Sequence, residues 1–152
     1  MHEILIYNQT KARIPRKFIK SVISKSLAFL KVKQPAELAV LIVGSGEIKR
    51  LNKVWRHKNE AADELSFGLN SRPTAGLPAG RQGFAREKPD MLNLGLIVLN
   101  GSKISEIKYL TELLVHSLLH LLGHHHEKSA VQAKKMESLE KRILNQLKLK
   151  KL

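Results

Sequence analysis

The sequence predicts a single α+β domain, spanning residues 1–152, in which a small mixed β-sheet of about four strands packs with helices. Three observations favour this class. Short apolar runs of strand length alternate with longer segments whose apolar residues recur at helical spacing. A chain of 152 residues with 43% hydrophobic residues suits one globular domain. A histidine-rich stretch in the C-terminal half predicts a metal site on a helix and the turn that follows it.

The N-terminal third predicts a strand, a helix and a second strand. Glu3–Tyr7 is a short apolar run of strand length. Glu37–Val43 is apolar along nearly all of its length, which predicts a strand near the centre of the sheet. Between them, Arg16–Lys31 is a predicted helix because its apolar residues fall on one face: Phe18, Ile19, Val22, Ile23, Leu27 and Leu30.

The middle of the chain predicts a second helix and a third strand. Ser45, between two glycines, is the expected N-cap of this helix. The two glycines lack the further residues of a GxGxxG or GK[ST] phosphate loop, which disfavours a nucleotide site there. Leu65–Leu69 is the predicted third strand. The buried face of the helix is expected to carry Ile48, Leu51 and Trp55.

Residues 70–89 are rich in Gly, Pro and Arg and show no periodicity, so they predict a long surface loop that interrupts the domain as an insertion. Two interpretations of this loop are open. It could grip RNA through its arginines, or it could be a tolerated insertion without a function of its own. The arginines in question are Arg72, Arg81 and Arg86.

The C-terminal part predicts the fourth strand and two helices. Leu92–Leu99 is an apolar run of strand length. A helix is expected to begin near Ser105, since Ile107, Leu110, Leu113, Leu114, Leu118 and Leu121 recur at helical spacing. A last helix is expected from about Ser129, with Ala133, Met136, Leu139, Ile143 and Leu147 on one face.

The charge of the chain points to a polyanionic partner. Lys and Arg total 27 against 13 Asp and Glu, which gives a net charge of +14. Such a field favours phosphate contacts and therefore nucleic acid. The absence of cysteine excludes disulfides, thiolate zinc ligands and a cysteine nucleophile. No apolar run reaches the ~20 residues of a membrane span, and we see no signal peptide, so we expect a cytoplasmic protein without a membrane partner.

The histidines of the C-terminal half have the spacing of a metal site. His116 and His120 are four residues apart and therefore share one face of a helix. Gly123 is the residue type that most readily ends a helix, so the chain can turn back and present His126 to the same point. Three imidazoles with an open fourth position are the ligand set of a catalytic zinc site, although Ni²⁺, Co²⁺ or Fe²⁺ could use the same set.

The residue after the first histidine argues against a protease. Metzincin proteases read HExxHxxGxxH, and the Glu is their general base. Here that position is Ser117, which cannot take the role. A phosphodiester substrate instead needs charge neutralisation, which a zinc ion and one arginine could supply. His124 and His125, inside the turn, are either neighbours of the metal ligands or simply solvated residues.

Four stretches together resemble one family. HSLLHLLGHHH is similar to HGxLHLxGYDH, and NKVWRHKNEAADELSFG is similar to N-x-x-[YW]-R-G-K-D…T-[DN]-V-L-S-F-P, both of the YbeY family of bacterial endoribonucleases, the rRNA maturation factors. LGLIVL (Leu94–Leu99) resembles the family's LGDIVI, and KKMESLEKRIL resembles EEMExLExxIL. The matches follow the family's order and span most of the chain.

The resemblance implies a zinc-dependent, single-strand-specific endoribonuclease that acts in rRNA maturation, at the 3′ end of 16S rRNA, and in ribosome quality control. It implies one Zn²⁺ held by His116, His120 and His126, with His116 and Arg56 as the catalytic residues. Arg56 matches the family's arginine that grips or polarises the scissile phosphate. The implied partners are RNA, rRNA and the ribosomal subunit, and no DNA is expected. The attacking group could be water or the RNA 2′-OH.

Several positions depart from the family pattern. Ser117 replaces a glycine, His125 replaces an acid in the turn, and Leu96 replaces the acid of LGDI. Metal-bound histidines usually donate their outer N–H to a carboxylate or carbonyl, so two absent acids bear on metal affinity and turnover. Three other acids are candidates to compensate: Asp63, Glu64 and Glu127.

Two other functions are compatible with the same residues. The chain could be a catalytically weak or inactive rRNA- or ribosome-binding module with a structural metal, which the absent acids and the insertion favour. It could also be a metal-dependent hydrolase of another substrate, including peptides, which Ser117 disfavours.

Overall fold

A four-stranded mixed sheet, with strand order β1-β2-β4-β3, organises the chain in the computed structural model, which describes residues 2–68, 91–123 and 129–150. β1 (Glu3–Asn8), β2 (Ala36–Val43) and β4 (Leu92–Asn100) run parallel. β3 (Glu64–Phe67) pairs antiparallel with β4 at one edge. The predicted α+β class and the number of strands are confirmed.

The four helices occur among the strands in the predicted order. They are α1 (Arg16–Phe29), α2 (Ser45–Arg56), α3 (Ile107–Leu121) and α4 (Ala130–Lys150), and a short 3₁₀ turn, Gly101–Lys103, comes directly after β4. The Ser129 hydroxyl accepts a hydrogen bond from the Gln132 amide at 3.1 Å, so it caps α4 at its expected start. Leu92–Asn100 extends the predicted fourth strand by one residue.

The helices cover the two faces of the sheet unequally. α1, α3 and α4 pack on one face, where residues such as Ile23, Ile97 and Leu118 form the larger apolar cluster. α2 packs on the other face, where Ile48 and Leu51 join a smaller cluster. β2 is buried along its whole length because both of its faces are covered. The sheet is therefore the middle layer between the three-helix side and the α2 side.

Leu96, which replaces the acid of the family's LGDI, is a core residue of the sheet. Leu96 is fully buried on the α2 side of the sheet, whereas α3, with His116 and His120, lies on the opposite side. The reason is a register shift beside Gly95, which has a φ of 121°. Because of it, Leu94 and Leu96 belong to different faces instead of sharing one, as simple alternation would require.

The start of α2 also differs from the expectation. Gly44 is the N-cap, and Ser45 is the first residue of the helix and makes no capping hydrogen bond. The Ser45 hydroxyl instead lies 3.2 Å from Asn100 Oδ1 and 2.9 Å from Ser102 Oγ. Asn100 is buried and also donates to the carbonyl of Ala62, so this group joins the ends of β4 and α2 to the segment before β3.

The predicted loop insertion of residues 70–89, with its two interpretations, lies outside the described residues. Within the described parts of the chain, no helix is long and apolar enough to cross a membrane.

Candidate metal centre

His116 and His120 lie together in the last two turns of α3. Their Nε2 atoms are 3.0 Å apart, and the ring centroids are separated by 4.5 Å with the rings nearly perpendicular. Both residues are partly exposed, while their neighbours Leu118 and Leu119 are buried. The four-residue spacing therefore places both imidazoles on one side of α3, as the sequence predicts, while buried residues on another side pack in the core.

The helix ends directly after the second histidine. The amides of Leu122 and Gly123 donate to the carbonyls of Leu118 and His120, and Gly123 has a φ of 95°. This positive φ is the helix-ending role expected of the glycine. The third predicted ligand, His126, lies outside the described residues, as do His124, His125 and Glu127. The chain beyond Gly123 is described again from Ser129.

A carboxylate from α4 contacts the first histidine. Glu140 Oε1 lies 2.6 Å from His116 Nδ1, and the two side chains are 27% and 30% exposed. This hydrogen bond is the main cause that raises the pKa of His116 above its ordinary value. Partial burial of the imidazole lowers the pKa, whereas the negative charges of Glu140 and Glu64 raise it further. A carboxylate can only accept, so His116 Nδ1 carries the proton.

Glu140 matches the last glutamate of the family's EEMExLExxIL pattern, but the sequence predicts no site role for it. A signal for it does exist: Glu140 is four residues after Met136 and three before Ile143, both buried, so it interrupts the core-facing stripe of α4 with a charge. The contact spans 24 residues of sequence, which no helical periodicity can reveal. Tertiary packing of α3 on α4 brings the two side chains together.

A second carboxylate reaches α3 from the edge strand. The Ser117 hydroxyl donates to Glu64 Oε2 at 2.6 Å, and Ser117 is fully buried. Glu64 is one of the three acids named as candidates to compensate for the absent acids, and it contacts the residue directly after His116. Asp63 instead accepts a hydrogen bond from the Tyr109 hydroxyl, two helical turns before His116.

The predicted phosphate-binding residue Arg56 is in the last turn of α2 and is exposed. His57, which follows it, is the left-handed C-cap with a φ of 60°. Among the described residues, no hydrogen bond or ion pair joins Arg56 to His116 or His120. The structure therefore brings two of the predicted site residues together and leaves the guanidinium of Arg56 open to solvent.

The two histidines fit the zinc that the motif implies. Two ligands of a tetrahedral zinc with Zn–N bonds of ~2.0–2.1 Å stand about 3.3 Å apart. The observed Nε2–Nε2 distance of 3.0 Å is close to that value. Among the described residues no group of three His, Cys, Asp or Glu side chains could hold a metal, so the site needs a further ligand from the chain beyond them.

Comparison with known proteins gives consistent matches. The family model described as Endoribonuclease YbeY matches residues 5–148. Endoribonuclease YbeY of Thermodesulfovibrio yellowstonii is 35% identical over 167 residues, covering 95% of this chain and 96% of that protein. The protein of the same name from Persephonella marina is 29% identical over 148 residues, covering 97% and 94%.

One solved structure shares the fold. The solution structure of a Thermotoga maritima protein superimposes with a TM-score of 0.52 at 21% identity, covering 93% of this chain and 86% of that one. At this identity the likeness speaks for the fold, and it agrees with the four-stranded mixed sheet and its helices.

Proposed function

Because the chain belongs to the YbeY family of endoribonucleases, we propose that it is a zinc-dependent, single-strand-specific endoribonuclease that acts in rRNA maturation, at the 3′ end of 16S rRNA, and in ribosome quality control. The observation that carries the proposal is the convergence of His116 Nε2 and His120 Nε2 to 3.0 Å at the end of α3. Two imidazole nitrogens at this distance can both bind one metal ion when neither carries a proton.

His116, His120 and His126 would hold the zinc. When bound, zinc acts as a Lewis acid on a phosphoryl oxygen and makes a bound water more acidic. The donor set suits this ion, because imidazole nitrogen is a preferred ligand and three protein ligands leave a position open to substrate. His116, already hydrogen-bonded through Nδ1, has only Nε2 left to offer.

Arg56 would bind the scissile phosphate. Its exposed guanidinium presents several donors in a planar fork, which suits a phosphate that arrives from solvent. The net charge of +14 would attract the rest of the RNA backbone without reading its sequence. Both features concern phosphate, which accords with an RNA substrate.

The direct test is cleavage of a labelled single-stranded RNA by the purified protein. We expect cleavage that chelation abolishes and Zn²⁺ restores, and that is lost in His116→Ala and His120→Ala. The matched control is His2→Ala. His2 accepts a hydrogen bond from the Ala36 amide near β1, at the opposite edge of the sheet from β3, so its loss should not affect the histidines of α3. Cleavage that survives both α3 substitutions would show a contaminating nuclease and overturn the proposal.

The product ends decide between the two attacking groups. Attack by the RNA 2′-OH leaves a 2′,3′-cyclic phosphate on the upstream fragment, whereas attack by water leaves linear ends. Mass spectrometry of the fragments distinguishes them. The same digestion of a duplex of identical sequence tests the single-strand preference, and equal rates on both substrates would contradict it.

The ribosomal part of the proposal has its own test. We expect the protein, in the cytoplasm, to bind the small ribosomal subunit and to act on the 3′ end of its 16S rRNA. Co-sedimentation with purified small subunits should be strong at low salt and fall steeply as salt rises, because phosphate contacts release counterions. Mapping of 16S rRNA 3′ ends after incubation should then show shortened termini that chelation prevents.

A further inference from the structure

Glu140 is a charged residue at a position where α4 otherwise contributes to the core. Its neighbours on the same face, Met136 and Ile143, are each 1% exposed. Glu140 itself is 27% exposed, and its Oε1 lies 2.6 Å from His116 Nδ1 on α3. A carboxylate is costly to desolvate unless it is hydrogen-bonded, and His116 supplies that hydrogen bond.

The geometry of the contact determines which nitrogen of His116 is available. Because the carboxylate accepts from Nδ1–H, the lone pair of the imidazole is at Nε2. His116 Nε2 is the atom that lies 3.0 Å from His120 Nε2. One contact on the outer side of the ring therefore sets both its tautomer and its orientation toward the second histidine.

We propose that Glu140 is a positioning residue of the metal centre, which holds His116 in the Nδ1–H tautomer with Nε2 directed at the metal. The proposal rests on the zinc site of the proposed function and adds a residue outside the histidine motif. A histidine ligand that donates its second N–H to a carboxylate is a recurrent arrangement around zinc, because the carboxylate makes the ligand more basic and fixes its ring.

The neighbouring acid of α4 shows what an ordinary helix-surface glutamate looks like in this protein. Glu137 is 65% exposed and pairs with Lys141, four residues later in the same helix, at 3.1 Å. Such pairs contribute little to stability. Glu140 differs in being less exposed and in reaching another helix, so the two glutamates form a matched pair for experiment.

The decisive measurement is zinc affinity, by competition with a chromophoric chelator, on the full chain. We expect Glu140→Leu, which suits the apolar stripe of α4, to weaken zinc binding about 10- to 100-fold. Glu140→Gln should weaken it less, because its amide carbonyl can still accept from Nδ1–H. Glu137→Leu should leave the affinity unchanged.

The outcomes separate this inference from the proposed function. If the wild-type protein binds no zinc, the zinc site itself is wrong and this inference falls with it. If the wild type binds one zinc and loses it in His116→Ala, but Glu140→Leu binds as tightly as Glu137→Leu, only the positioning role is overturned.

A second measurement needs no variant and covers the case in which Glu140→Leu does not fold. Imidazole ¹⁵N shifts of the zinc-loaded wild-type protein report which nitrogen of His116 carries the proton. We expect a protonated Nδ1 and a metal-bound Nε2. A metal-bound Nδ1 would overturn the proposal, because Glu140 could not then accept from that atom.

Discussion

Ser117 donates a 2.6 Å hydrogen bond to Glu64 Oε2 and thereby ties α3 to the edge strand β3, one residue after His116. Ser117 is fully buried. The family pattern has glycine at the position of Ser117 and valine at the position of Glu64, so both partners of this bond depart from it together. A buried hydroxyl and a carboxylate can both be tolerated here because each satisfies the other.

The first prediction is that Ser117→Ala destabilises the protein by about 1–3 kcal/mol, because the substitution leaves Glu64 without its buried donor. Urea unfolding followed by circular dichroism measures this change. Ser138→Ala, at an exposed position of α4, is the control and should change little. Glu64→Val removes the other partner of the same hydrogen bond. In the Glu64→Val, Ser117→Ala double variant, the losses of unfolding free energy seen in the two single variants should therefore not add. Simple additivity would show that the bond contributes nothing.

The elements of the fold are predictable from the sequence because each has a strong local signal. The 3.6-residue period marks α1, α3 and α4, and the apolar runs mark the strands, so the observed bounds differ from the predicted ones by only a few residues at most ends. The pairing of His116 with His120 follows from the same helical period. Local periodicity is sufficient for these features because helix geometry fixes which side chains share a face.

Other features of the site depend on contacts that the sequence does not encode locally. Glu140 reaches His116 only because α4 packs on α3, and the pattern of α4 alone shows a charge on an apolar stripe without naming its partner. The face of the sheet on which Leu96 lies is likewise not predictable, because strand alternation does not reveal the register shift beside Gly95. Ser45 is not the N-cap of α2, because the helix begins one residue earlier than expected, and the Ser45 hydroxyl contacts Asn100 and Ser102 instead.

The register shift beside Gly95 leads to the second prediction. Gly95 has a φ of 121°, and a Cβ at this position would stand 2.2 Å from the carbonyl oxygen of Phe67 in β3. Both the backbone conformation and the space therefore exclude a side chain. We expect Gly95→Ala to destabilise the protein by at least about 2–3 kcal/mol, from backbone strain and displacement of β3.

A matched glycine serves as the control for this substitution. Gly46 lies in the first turn of α2, where an added Cβ would have no neighbouring atom within 4 Å, and its backbone is not in the left-handed region. Gly46→Ala should be neutral or stabilising by up to ~1 kcal/mol. Thermal unfolding of both variants in parallel checks the pair, and equal effects would show that the shift at Gly95 does not need glycine.

The third prediction concerns alkaline pH and the bond from Tyr109 to Asp63. This hydrogen bond is the main cause that raises the pKa of Tyr109 to about 12, with burial and nearby acids adding to it. The folded protein thus holds the phenol proton more tightly than the unfolded chain, whose tyrosine pKa is about 10. The stabilisation is complete below about pH 10 and is lost as the pH rises through about 12.

Two measurements test this behaviour. The difference in unfolding free energy between wild type and Tyr109→Phe should be constant from about pH 7 to about pH 9 and should shrink above about pH 10. Phenolate absorbance should show a late-titrating component that Tyr109→Phe removes and Tyr7→Phe retains, Tyr7 being the other tyrosine of the chain. A difference that grows in the alkaline range would contradict the assignment.

The fourth prediction tests Arg56 as the phosphate-binding residue. Its guanidinium is exposed at the end of α2. Under the proposed function, its replacement would remove donors for the scissile phosphate and leave the histidines in place. We expect Arg56→Ala to lower single-turnover cleavage of single-stranded RNA about 100-fold, with zinc content unchanged. Arg56→Lys should recover part of this loss, since it restores the charge but not the planar pair of donors.

The control is Arg50→Ala in the same helix, because Arg50 is bound to Glu47 at 2.5 Å. Equal rates for Arg56→Ala and Arg50→Ala would remove Arg56 from the catalytic residues and leave the metal centre to bind the phosphate alone.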